Sequence, residues 1–103
     1  MGLKAYAHRR DERDVIPFEI VERISSQTYV VRDMICDLSK DFKPRIAMGV
    51  CINNEDQRWD IRPDPTGLSF RIRLLKGRKW KDVNGNTYTL DEQPERWHHF
   101  GRL

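Results

Sequence analysis

Residues 68–90 read LSFRIRLLKGRKWKDVNGNTYTL, and the alternation in this stretch decides the fold. Successive side chains of a strand point to opposite faces, so Phe70, Ile72 and Leu74 share one side and Arg71 and Arg73 the other. The pattern breaks at Gly77 and again at Asn84-Gly85, then resumes with Trp80 and Tyr88 extending the apolar row. Gly and Asn tolerate positive φ, so these breaks read as hairpin turns. The stretch predicts a meander whose apolar face is carried by Phe70, Ile72, Leu74 and Trp80 and whose other face is rich in Arg and Lys.

The neighbouring segments extend this pattern. Residues 15–24 (VIPFEIVERI) read as a strand with Pro17 near its start or on an edge, where no ladder donor is needed. Ser25, Ser26 and Gln27 make a turn, and residues 28–35 (TYVVRDMI) are the β-branched return strand. Its alternation puts Tyr29 and Val31 on one face and Val30, Arg32 and Met34 on the other. Residues 58–63 (RWDIRP) form a short strand with Trp59 and Ile61 facing together, ended by the turn residues of 64–67. Residues 36–57 are irregular and read as a long loop with a short strand near 47–52. Residues 1–14 are charged and aperiodic and read as a flexible N-terminal arm, leaving 15–103 as a single domain. A short turn or helix is expected after Pro94. Five to six short strands without a sustained helical period predict an all-β fold. A small SH3-like or OB-like barrel is preferred, because closure removes exposed edges.

Charged residues make up 34% of the chain and hydrophobic ones only 38%, so the core must be small and weighted towards its aromatic rings. Oligomerisation is an expected source of further stability. The net charge of +3 is too mild to identify a partner, but its distribution is uneven. Acidic residues gather at Asp11, Glu12, Asp14, Glu19 and Glu22, whereas residues 71–81 hold six basic residues and no acid.

Motifs for nucleotide-binding glycine loops, a nucleophile elbow or a zinc-protease helix are missing, so no enzyme and no cofactor are expected. Cys36 and Cys51 lack metal-ligand spacing, and a zinc site combining them with His98 and His99 would be irregular, so no metal is expected. With no signal peptide or apolar span visible, the chain reads as reduced and intracellular, with no membrane partner. Asp60 with Asp64, and Asp91 with Glu92, sit beside turns, where turn chemistry explains them.

The positive signal is the mixture of cations and aromatic rings. Arg71, Arg73, Lys79 and Lys81 lie on adjacent strands, where outward side chains stand within about 5 Å of each other, and Arg32 is added from the second strand, either face of which can be the buried one. A guanidinium fork matches two phosphate oxygens at once. Trp97 and His98 are the candidates for stacking on a base. The candidate ligand site is therefore Arg32, Arg71, Arg73, Lys79, Lys81, Trp97 and His98.

The succession PFEIVERISSQTYVVRDM, RWDIRPDPTG and FRIRLLKGRKWKDVNG resembles a family of small β-barrel accessory proteins encoded by phages and prophages. The resemblance spans residues 15–100 and departs at the end, where RWHHFGRL stands in place of a tyrosine-rich closing segment. It implies a non-enzymatic anti-defence protein in the host bacterial cytoplasm. Such a protein would sequester a phosphorylated nucleotide immune signal, a cyclic oligonucleotide or an ADP-ribose derivative, in pockets of a homo-oligomer. Nucleic acid, or a host enzyme blocked by protein–protein contact, are the other expected partners.

Overall fold

A computed structural model describes residues 3–11 and 14–100. The strands are β1 (Tyr6–Asp11), β2 (Asp14–Ser25), β3 (Thr28–Leu38), β4 (Ile46–Ala47), β5 (Val50–Cys51), β6 (Trp59–Pro63), β7 (Ser69–Leu75), β8 (Lys79–Lys81) and β9 (Thr87–Asp91). Six of them close an antiparallel barrel in the order β2-β1-β9-β8-β7-β3, with β3 returning to β2, and β6 is an extra strand on β3. The fold is thus a small all-β barrel, as the alternation predicts. Among the described residues no helix is long and apolar enough to cross a membrane.

The apolar rows close on one another inside this barrel. Ala7, Phe18, Ile20, Val31, Ile72, Trp80 and Tyr88 form the buried cluster, and Tyr29, Phe70 and Leu74 lean against it. Phe18 meets Phe70 and Tyr88 edge-on at 5.3 and 5.6 Å, while Tyr29 stacks on Trp80 at 4.5 Å. These offsets suit rings with negative faces and positive edges, and they add specific geometry to the area buried.

Three expectations are corrected. The 1–14 arm contains β1, which pairs with β2 on one side and β9 on the other and completes the barrel. Its sequence YAHRRD looks aperiodic because only Ala7 and His8 are fully buried. His8 stays inside as a neutral imidazole whose Nε2 accepts the Glu95 N–H at 2.8 Å. Among the described residues after Pro94 there is no helix: Trp97 exchanges both backbone hydrogen bonds with Val15. The Asn84-Gly85 break is the expected hairpin between β8 and β9, but its loop is longer than two residues and only Gly85 in it takes a positive φ. Asp82 shapes it by accepting the N–H groups of Asn84 and Asn86.

Strand β3 belongs to two structures. Residues 28–33 pair with β2 and β7 in the barrel, and Met34–Leu38 pair only with β6. The β3–β6 ribbon, the small β4–β5 hairpin and the 3-10 turn Asn54–Asp56 form an extension beyond the barrel, giving overall dimensions of 48 × 29 × 27 Å. The long loop expected over 36–57 is therefore partly strand and partly hairpin.

Candidate anion-binding groove

Cross-strand register fixes what stands outside the barrel. Leu74 and Trp80 pair and point in, so Arg73 and Lys81, the next pair, point out. Arg73 also faces Thr28, and Arg71 faces Val30. Two residues along a strand are about 6.7 Å apart, so Arg71 and Arg73 present their guanidinium groups in a short outward row. Lys81 lies beside Arg73 on the adjoining strand.

The apolar side of the groove comes from β2. Its pairing with β3 slips twice, between Ile20 and Glu22 and between Arg23 and Ser25. Each slip inserts an extra residue, and a bulge of this kind re-aims side chains. The inserted residues Val21 and Ile24 are both exposed. Ile24, Leu75 and Val83 join Thr28, Arg71, Arg73, Lys81 and Asp82 around an open groove of about 600 Å³.

The charge in this groove is unbalanced. Among the described residues the ion pairs are Arg62 with Asp37 and Asp60, and His98 with Asp14; none involves Arg71, Arg73, Lys79 or Lys81. Asp82 is the one acid lining the groove, and its oxygens are engaged elsewhere. Burial alone would raise its pKa. The Asn86 amide, the Tyr88 hydroxyl and the N–H groups of Asn86 and Asn84 outweigh that and hold it below the ordinary carboxylate value. In return, burial and the bond to Asp82 push the Tyr88 phenol far up, so it remains a donor.

The expected site residues divide into groups. Arg71, Arg73 and Lys81 meet in the groove. Lys79 is exposed on the same hairpin, opposite Leu75, but does not line it. Arg32 sits directly across from Glu19 on β2 and does not line the groove. Trp97 and His98 belong to the strap at residues 96–100. Trp97 is tied to Val15, and His98 approaches Asp14 Oδ2 at 3.3 Å while its ring meets Phe100 edge-on at 4.8 Å. No described contact joins this strap to the groove, so the pairing of arginines with Trp97 and His98 is not assembled. Trp80 is likewise committed to the core.

Sequence reading missed Ile24, Leu75 and Val83. The signal for Ile24 was present: apolar residues at 20, 21 and 24 break strict alternation, which marks a bulged strand. Val83 carries no signal, since only the loop shape that Asp82 imposes sets its position.

Cys36 and Cys51 are both free thiols, and burial raises the pKa of Cys36. Among the described residues no three His, Cys, Asp or Glu side chains gather as a metal cluster would require. Comparison of the chain with protein-family models, curated proteins and solved structures finds no match.

Proposed function

We propose that this barrel is a non-enzymatic binding protein for a compact phosphorylated nucleotide, held in the groove of Arg71, Arg73 and Lys81. The observation that carries this reading is the presence of three cations without ion-pair partners among the described residues, beside exposed Ile24, Leu75 and Val83. Phosphate oxygens would supply the missing counter-charge, with each guanidinium engaging two oxygens. The aliphatic side chains would cover the base or ribose, a task the sequence suggested for Trp97 and His98. A second protomer covering the open groove would complete the pocket, which makes a homo-oligomer the working form. In an infected bacterium such a protein would withdraw a cyclic oligonucleotide or ADP-ribose derivative from its receptor in the host cytoplasm.

The outer face favours a compact ligand over a nucleic-acid strand. Glu19 beside Arg32 and Glu22 beside Val30 interrupt the basic surface towards β2, so no long cationic track continues from Arg71.

Native mass spectrometry of the protein with a mixture of cyclic di- and trinucleotides and ADP-ribose tests the reading. A stoichiometric complex is expected, with the ligand released intact on denaturation. The double variant Arg71→Gln/Arg73→Gln should keep its unfolding transition and lose the complex. A chemically altered ligand, or unchanged binding by the double variant, would overturn it. A mobility shift on DNA or RNA that weakens steeply with salt would instead show the nucleic-acid mode.

A further inference from the structure

The β4–β5 hairpin projects an apolar tip that the groove does not use. Ala47 pairs with Val50, so the turn consists of Met48 and Gly49 alone. Both have positive φ, 53° and 80°, the geometry of a tight type I′ turn. Ile46, Met48, Val50 and Ile52 are all exposed, Met48 completely. Ile46 and Cys51 share one face of the hairpin, and Ala47 and Val50 the other. The hairpin is therefore apolar on both faces and at its tip.

A protein partner docking on a flat surface would cover one face. A standard interface also needs about 800 Å² from each side, more than so narrow a projection offers to a second copy of the chain. An apolar medium that surrounds the tip matches the exposure on all sides.

The base of the hairpin is of mixed charge, with cations in slight excess over carboxylates. An open cavity of about 440 Å³ lies there, lined by Lys43, Arg45 and Arg58 together with Asp41 and Asp56. Lys40 is exposed nearby, and none of these four cations makes an ion pair among the described residues. Asn53 fixes the cavity rim, accepting the Arg45 N–H at 2.8 Å and donating to the Lys43 carbonyl at 2.9 Å.

We infer that the hairpin is a finger for an anionic lipid surface. Met48, Val50, Ile46 and Ile52 enter the acyl boundary, while Lys43, Arg45 and Arg58 meet headgroup phosphates. Insertion stops at the interface, because two-residue strands leave backbone N–H and C=O groups that hydrocarbon cannot satisfy.

Co-sedimentation with phosphatidylcholine vesicles, with and without phosphatidylglycerol, tests this. The protein should pellet with the phosphatidylglycerol vesicles and stay in solution with phosphatidylcholine alone. In Met48→Asn/Val50→Thr, Asn suits a positive φ and Thr suits a strand, so the hairpin is kept and its apolar tip removed. Binding should fall by at least about tenfold, the scale on which the interface attraction depends on buried apolar area. Lys43→Gln/Arg45→Gln should weaken binding and reduce its salt dependence. Retained binding by Met48→Asn/Val50→Thr, or no binding by the unaltered protein at low salt, overturns the inference. So does loss of binding in Arg71→Gln/Arg73→Gln, which would assign it to the groove. An oligomer that Met48→Asn/Val50→Thr disperses would show a second copy covering the finger and also overturn it.

Discussion

The barrel and its extension are built by different physics within one strand. In the barrel, residues 28–33 of β3 present Tyr29 and Val31 to a sealed core, and burial of apolar rings and branched chains holds the strands. In the extension, side-chain amides do much of this work. The buried Gln57 donates from Nε2 to the carbonyls of Asn54 and His98 and accepts at Oε1 from Trp59 Nε1 and the His98 N–H. Asn54 bonds both backbone groups of Phe100, and Phe100 rests on Phe42 at 5.4 Å. Non-directional burial tolerates small shifts, whereas a four-bond amide fails once its partners move. The difference teaches where each half is vulnerable.

The largest effect should come from the barrel. Ile72 has no exposed surface, and Ile72→Ala should lower stability by about 2–5 kcal/mol in urea unfolding, with both regions lost together. A transition confined to the extension would break the distinction. Gln57→Ala is the converse. It strands buried donors and acceptors at about 1–3 kcal/mol, and hydrogen exchange should quicken at His98 and Phe100 while Val31 and Ile72 keep their protection. Equal loss of protection in the barrel would show that the two regions are one cooperative unit.

A third test concerns residues 92–96, which lead from β9 into the strap and hold Glu95 against His8. Burial lowers the pKa of His8 below the ordinary 6.5, partly offset by Asp91 and Glu95. The unfolded chain therefore takes up this proton first. The stability that neutral His8 contributes is complete above pH 6.5 and drains as pH falls towards the lower folded value. His8→Gln should flatten the fall of the unfolding midpoint as pH drops below 6.5. The smallest effect is expected at the β7–β8 turn, where Arg78 has φ 61°. Arg78→Gly should raise stability by a few tenths of a kcal/mol, up to about 1, since Gly meets no steric penalty there. A loss would mean that the Arg78 side chain has a partner in the assembled protein.

This contrast also explains what the sequence made legible. Phe70, Ile72, Leu74 and Trp80 announce themselves because a two-residue period is written directly into the chain. Their outward neighbours Arg71, Arg73 and Lys81 follow from the same parity. His8 and Ala7 were hidden, since β1 is paired on both sides but buries little of its length, and charge masked its period. Gln57 was equally opaque: nothing distinguishes it from a solvated loop residue until Trp59, Asn54 and His98 converge on it. The break in alternation at Val21 and Ile24 was visible, but its consequence, an apolar wall beside Arg73, depends on how the bulges turn β2.

The closure between β1 and β9 has a consequence for how the protein is made. Tyr6 pairs with Asp91 and Arg9 with Tyr88, so the second edge of β1 is not matched until the distant β9 has been made. On the ribosome, β1 can join β2 early, yet its other edge stays bare until β9 has emerged. Such non-local pairing slows folding and leaves a sticky edge in the nascent chain. The Arg9 and Arg10 charges on β1 then act as a guard, discouraging neighbouring chains from adding a strand before β9 arrives.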